Sequence, residues 1–332
     1  MTKLIEFLDH NERAALAKRS MPRWSDPMLA TLTEERFNHK DWIFERKLDG
    51  ERVLVFKKDA SVELFSRNRK NISKTYPELV ERLEEEKIAR CILDGEIVAF
   101  SGKITSFSRL QQRMQIKKSV EARKSDVAVF LYVFDILYFD GYATEDLALR
   151  RRKEILRRAL RFEGSLRFTP HRNEQGVAFY QQACHKGWEG IIAKDANAAY
   201  AHSRSRNWLK FKCSKRQELV VGGWTEPGGQ RRGFGALLVG YYQEKKLVYA
   251  GKVGTGYNGE TLRRLHRQLV SHERSTSPFD RGEDTGSTVH YCTPKLVAEI
   301  GFNEWTEDGR LRHPRFIGLR RDKEASEVVR EG

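Results

Sequence analysis

Apolar and polar residues nearly alternate through WIFERKL, residues 42–48, and a period of two is the pattern of a half-buried strand. The same signal recurs at 53–56, 62–66, 91–100 and 127–136, while apolar residues fall at helical spacing over 77–86 and 145–162. Residues 1–25 read as a short helix and a loop. Strands of this kind with interspersed helices predict an α+β domain rich in antiparallel pairing. After Lys212 the pattern changes to short β runs at 219–224, 236–242 and 247–251, separated by glycines, with a late strand pattern through Phe302 and Phe316. Short strands between turn signals predict a small β-barrel. The expected boundary lies near residue 213, giving domains 1–213 and 214–332 without a long linker or an internal repeat.

Composition narrows the partner. The 332 residues carry 61 Lys+Arg against 46 Asp+Glu, a formal charge of +15, which points to a polyanion and first to nucleic acid. No apolar run approaches the roughly 18 residues of a spanning helix, and no Cys-terminated lipidation box closes the chain, so membranes are set aside. The first 20 residues are amphipathic and partly acidic, unlike a signal peptide, and the expected compartment is the cytoplasm. Cys91, Cys184, Cys213 and Cys292 stand far apart with no CxxC pair, and are expected to be buried free thiols.

Several stretches carry candidate chemistry. In KLDGER, residues 47–52, a lysine stands beside a carboxylate, a glycine and an arginine, an arrangement suited to a lysine that attacks phosphorus. A free lysine has a pKa of about 10.4, so about one in 2,500 is neutral at pH 7. Nearby cations would depress that pKa. In WLKFK, alternation puts Lys210 and Lys212 on one strand face, with Leu209 and Phe211 on the other. In LDGE, Asp94 and Glu96 are two apart and share a face. The helix LRRRKEILRRALR, residues 149–161, has an apolar stripe and a dense basic remainder, read as a solvated surface. GGWTEPGGQRRGFG, residues 222–235, lacks the GK[ST] ending of a phosphate loop and is read as a flexible barrel loop.

KLDGER is followed in order by LFSRN (64–68), LDGEIVAF (93–100), VFDILYFDG (133–141), EGIIAK (189–194) and NWLKFK (207–212). This ordered set resembles the motifs of the covalent nucleotidyltransferases, specifically the ATP-dependent DNA ligases. The resemblance implies an α+β nucleotidyltransferase (adenylation) domain followed by an OB-fold β-barrel domain. It implies sealing of 5′-phosphate/3′-hydroxyl nicks in duplex DNA through a lysyl-AMP intermediate, with ATP and Mg2+ (or Mn2+) as cofactors. On the matching positions, Lys47 is the nucleophile, with Asp49 and Arg52 beside it as catalytic residues. The resemblance assigns the nucleotide to Glu45, Lys47, Arg52, Glu96, Phe134, Lys194, Lys210 and Lys212. Phe134 would stack on adenine, Glu96 would accept from the ribose, and Lys210 with Lys212 would hold the α-phosphate and depress the Lys47 pKa. Arg52 and Arg67 would grip the DNA 5′-phosphate, and Glu189 and Asp94 would serve the metal.

The terminal segment RLRHPRFIGLRRDK, residues 310–323, resembles the last ligase motif but departs from it: Gly318 stands where many ligases carry arginine. Arg320, Asp322 and Lys323 are its candidates for orienting pyrophosphate. VVGGWTEPGGQRRGFGALLVGYY and FNEWTEDGRLRHPRF resemble the ligase domain of bacterial end-joining ligases, which implies nicked or broken duplex DNA as partner, Ku as a candidate partner, and a stand-alone monomer acting at the nucleoid. Three alternatives are weighed. An RNA ligase or capping guanylyltransferase shares the lysine chemistry, and a non-catalytic OB-fold binder would need only the charge. A NAD-dependent ligase would need a nicotinamide-binding domain and a cysteine zinc module, and neither is seen in the sequence.

Overall fold

In the computed structural model, residues 8–213, 215–228, 233–282 and 288–331 are described. The chain divides into two compact units, Met1–Cys213 and Ser214–Gly332. The first unit holds two sheets. One runs in the order Ala17–Lys18, Tyr142–Ala143, Val129–Phe139, Arg90–Ser101, Glu51–Lys58 and Ser61–Ser66, with Leu166–Phe168 and Ile104–Thr105 pairing from the side. The other runs His171–Glu174, His39–Lys47, Gly190–Asp195, Arg204–Lys212 and Leu29–Leu32. Pairing is antiparallel except where Leu166–Phe168 joins Val129–Phe139 and Leu29–Leu32 joins Arg204–Lys212.

Three apolar layers fix these sheets. Helices Pro77–Glu84, Phe107–Met114 and Leu149–Ala159 bury Leu79, Leu83, Phe107, Leu110, Ile155 and Leu156 against the first sheet. Helix Gly176–His185 lays Phe179 and Ala183 on Phe44, Ile191 and Phe211 of the second sheet. Between the sheets, Leu54 and Phe134 of one meet Trp208 of the other, with Met28 and Tyr200. Full burial of each such side chain contributes about 1.5–3 kcal/mol.

The N-terminal helix is His10–Ala15, fixed by a capping box between Asp9 and Glu12. Residues 1–7 of the expected helix-and-loop segment lie outside the described residues. The helix Leu149–Ala159 is the solvated surface its charges suggest only in part: Arg150, Arg157 and Arg158 are exposed over a buried apolar stripe. Arg152 and Lys153 are buried, Arg152 on Asp135 and Lys153 on Glu45, because the residues they reach are carboxylates folded beneath the helix.

Two cysteines also depart from expectation. Cys184 and Cys213 form a disulfide with Cα atoms 5.1 Å apart, while Cys91 and Cys292 are buried free thiols as expected. A sequence separation of 29 hides the pair, but helix Gly176–His185 ends over the end of strand Arg204–Lys212.

The second unit is the OB-fold domain. Its strands run in the order Lys246–Val253, Leu237–Gln243, Lys215–Thr225, Val289–Phe302 and Glu273–Arg274, with Arg315–Arg320 on Val289–Phe302. The helix Gly259–Val270 was not legible in the pattern; Asn258 caps it and it buries Leu265 and Leu269. The glycine-rich segment is only partly a loop: Gly222–Gly223 form a bulge inside strand Lys215–Thr225, and Phe234 is buried in the core. Residues 229–232 of that segment lie outside the described residues.

Candidate active site

Cross-strand register builds the site. Gly190 lies opposite both Lys47 and Lys212, and Ile192 lies opposite both Glu45 and Lys210. Directly paired residues project to the same side of a sheet, and so do residues two apart. One face therefore carries Glu45, Lys47, Lys194, Trp208, Lys210 and Lys212, while Phe44, Ile191 and Phe211 on the other face pack under the helix. Gly190 keeps the central row open, because a Cβ there would come 2.0 Å from the carbonyl oxygen of Phe211.

The first sheet supplies the opposite wall. Arg52 pairs with Glu96 in register. Where Gly95 pairs with Val133 and Asp94 with Asp135, Phe134 is the extra residue of a β-bulge. The Arg52 guanidinium lies 4.6 Å from the centre of the Phe134 ring, and the Lys194 ammonium 4.1 Å. The glycine of KLDGER also has a cause. A Cβ on Gly50 would stand 2.2 Å from the Ile97 carbonyl oxygen, so only glycine lets the lysine strand turn into Glu51–Lys58 against Arg90–Ser101.

Lys47 Nζ lies 2.6 Å from Glu189 Oε2. Burial works against the lysine's charge, yet Glu189, with Glu96 and Asp49 adding, outweighs it and raises the pKa. This reverses the expectation that Lys210 and Lys212 depress it. The physical reason is proximity: carboxylates crowd Lys47, whereas Lys212 stands two strands away across Gly190.

Asp94, expected at the metal, is paired here with protein groups. It is fully buried, its oxygens accept two hydrogen bonds from Arg52 at 2.5 Å each, and Tyr200 donates a third at 2.7 Å. It braces Arg52. Asp49 accepts from the backbone N–H of Phe107 at 3.4 Å, holding the start of helix Phe107–Met114. Glu45 is likewise committed through its side chain, to Lys153 and to Lys194.

Arg67 sits half-buried in the turn after Ser61–Ser66. In the second unit, Arg320 donates to both oxygens of Asp322 at 3.0 and 2.7 Å and lies 3.5 Å from Glu299, while Lys323 donates to Glu218 at 3.2 Å. The sequence missed Lys153, Tyr200 and Trp208 as parts of this site. Lys153 was hidden among the charges of a helix, and Trp208 inside a lysine motif.

Among the described residues no three His, Cys, Asp or Glu side chains gather as a metal cage. Magnesium commonly binds one or two carboxylates together with substrate phosphates and water, and Glu189 beside Lys47 fits that donor set. An aromatic ring flanked by two cations, with further lysines along one sheet face, likewise fits a nucleoside triphosphate.

A lysine on a strand end, a carboxylate against it and a cationic sheet face opposite a ring define a covalent nucleotidyltransferase, and the chain belongs to the ATP-dependent DNA ligase family. Residues 27–212 match the ATP dependent DNA ligase domain and residues 230–323 the ATP dependent DNA ligase C terminal region. The chain is 36% identical over 324 residues to the multifunctional non-homologous end joining protein LigD of Pseudomonas aeruginosa, covering 95% of this chain and 37% of that protein. It is 34% identical over 297 residues to a DNA ligase of Natronomonas pharaonis, covering 86% of this chain and 52% of that one. The chain thus spans well under two thirds of the length of these relatives. Among solved structures, mycobacterial DNA ligase D complexed with ATP and MES superposes with a TM-score of 0.66 at 35% identity, covering 92% of this chain and 98% of that one.

Proposed function

We propose that this ATP-dependent ligase seals 5′-phosphate/3′-hydroxyl breaks in duplex DNA through a lysyl-AMP intermediate on Lys47, in bacterial break repair. The observation that carries the reading is the pairing of Lys47 with Glu189 at 2.6 Å on a sheet face that also presents Lys210 and Lys212. Lys47 gives up one proton to solvent before it attacks; Nζ then forms a bond to the α-phosphorus of ATP as the bond to pyrophosphate breaks, and a second proton leaves Nζ for solvent. AMP then passes to the 5′-phosphate, freeing Lys47, and the 3′-hydroxyl displaces AMP. Lys210, Lys212 and Arg52 balance charge on phosphoryl oxygens throughout. Magnesium or manganese on Glu189 supplies further neutralisation of those oxygens.

Phe134, buried here with Arg52 and Lys194 over its ring, would offer that ring to the base once they move aside, Glu96 would offer its carboxylate to the ribose, and Arg52, on leaving Asp94, would bind the 5′-phosphate with Arg67, a task suited to planar bidentate donors. Asp49 acts through the loop it holds. Arg320, Asp322 and Lys323 are the terminal-segment candidates for pyrophosphate, and to reach it Arg320 must give up Asp322 and Glu299. End joining as the setting is supported by the LigD relatives. We take the working form to be a cytoplasmic monomer, with Ku as candidate partner. No helix among the described residues is long and apolar enough to cross a membrane.

The test is a chase. The protein is loaded with α-labelled ATP and then given nicked duplex DNA carrying a 5′-phosphate. Label should leave the protein as sealed product appears, and Lys47→Ala should take up no label. An adduct that discharges only onto RNA would move the function to RNA ligation. Label on the Lys47→Ala chain would overturn the nucleophile.

A further inference from the structure

Lys153 is almost fully buried on helix Leu149–Ala159, yet it belongs to none of the sequence motifs. Its Nζ donates to Glu45 Oε1 at 2.5 Å, and to the carbonyl oxygens of Phe134 and Thr169 at 3.3 Å each. All three donors of the ammonium are spent within the protein. Each acceptor belongs to a segment that shapes the nucleotide wall: the strand of Lys47, the bulge that presents Phe134, and the link between Leu166–Phe168 and His171–Glu174.

The other oxygen of Glu45 lies 2.6 Å from Lys194 Nζ. That carboxylate meets one side of the ammonium. The rest of the ammonium faces aromatic rings, 4.1 Å from the centre of the Phe134 ring and 4.0 Å from that of Trp208. An N–H turned only to ring faces lacks a full acceptor, and a base bound beside Phe134 carries ring nitrogens that accept.

We propose that Lys153 is a positioning residue for the nucleotide: by taking one oxygen of Glu45 it holds the other on Lys194, and so fixes the Lys194 ammonium where the base is read. The inference rests on the nucleotide reading of the site given above.

The charged and titratable groups facing Lys194 are Glu45 on its neighbouring strand, Lys153 on the helix, Asp135 on the opposite sheet, His171 on the edge strand, and Arg52 across the Phe134 ring. Burial lowers the Lys194 pKa to about 8; Glu45 acts against this and Lys153 with it. His171 is neutral at assay pH, its pKa pulled down to about 4, by burial first and then by Lys153. Lys194 must therefore lose its donor capacity on the alkaline side of pH 8, and ATP affinity with it.

Two substitutions break the same pair with opposite consequences for Lys194. Lys153→Met removes a cation and leaves Glu45 to Lys194 alone, so the alkaline limb of kcat/KM for ATP in the adenylation step moves to higher pH. Glu45→Gln removes the anion and leaves Lys153 facing Lys194, so the limb moves to lower pH. In Lys153→Met, KM for ATP is expected to rise about tenfold at pH 7.5 through misplacement of Lys194, with kcat changed less than threefold. Lys153→Arg, which keeps the charge, should restore KM. Limbs that shift the same way in both variants, or a lower kcat at unchanged KM, would overturn the proposal and leave Lys153 a structural residue. If Lys153→Met does not fold, the Glu45→Gln limb decides, and a limb that stays in place sinks the idea. Failure of the unsubstituted protein to adenylate at all would instead remove the nucleotide reading itself.

Discussion

Lys47 is held as an ammonium by the same carboxylate that stands closest to it. A lysine whose folded pKa is raised contributes stability that is complete below its unfolded value and is lost as pH climbs through the folded one. At neutral pH the Lys47–Glu189 pair is therefore fully formed and the nucleophile is silent. Reaction requires that Glu189 be drawn away, which phosphates and a cation at that carboxylate would do. Glu189→Gln separates holding from catalysis. It removes the largest carboxylate contribution and leaves burial to pull the lysine down, so acylation of Lys47 by acetic anhydride at pH 8, located by mass spectrometry, should rise severalfold. Adenylate formation should fall by about 100-fold, since the charge stabilisation offered at that position is gone. Unchanged labelling of Lys47 would mean that something other than Glu189 holds its proton.

At the level of elements, helix Gly176–His185 and strand Arg204–Lys212 act as one piece. The Cys184–Cys213 disulfide closes the end of that piece, the Cys213 N–H donates to the Glu189 carbonyl at 2.9 Å, and the Tyr180 hydroxyl donates to that of Lys212 at 3.1 Å. Glu189 and Lys212 are thus held from behind. A link closing a loop of this size is worth about 3–4 kcal/mol in the chain-entropy model. Cys184→Ser with Cys213→Ser should lower the unfolding free energy by that order in urea titrations under oxidising conditions. The same titration in strong reductant should bring the unsubstituted protein to the same midpoint, and coinciding midpoints under oxidising conditions would show that the link carries no stability. The sequence reveals much of this level, because period-two alternation and strand ladders are local. It placed Lys210 and Lys212 on one face, and the strands around Phe44, Leu54 and Leu93 close to where they fall. It concealed what depends on distant partners. Cys184 meets Cys213 only after two elements dock, Arg152 and Lys153 look solvated until Asp135 and Glu45 are folded beneath them, and the grip of Arg52 and Tyr200 on Asp94 is seen only in the fold.

For the whole molecule, on the function proposed above, the charge of +15 should bear on DNA far more than on ATP. In that proposal adenylation takes a small nucleotide inside the first unit, with Lys210, Lys212 and Arg52 as the neutralising groups. Sealing needs a duplex, and each phosphate neutralised releases counterions, so affinity falls with log salt at a slope of about −0.9 per contact. With six such contacts, raising KCl from 50 to 200 mM should weaken binding of nicked duplex about a thousandfold. The yield of covalent adenylate at saturating ATP, measured with α-labelled nucleotide in the same buffers, should change less than about twofold. Sealing at limiting DNA would then follow the binding curve and lose its salt dependence when DNA is saturating. A shallow slope for binding would mean that few of the cations touch phosphate and that grip on DNA comes from shape and apolar contact. A steep slope for adenylation would mean that the positive field serves lysine chemistry as much as DNA.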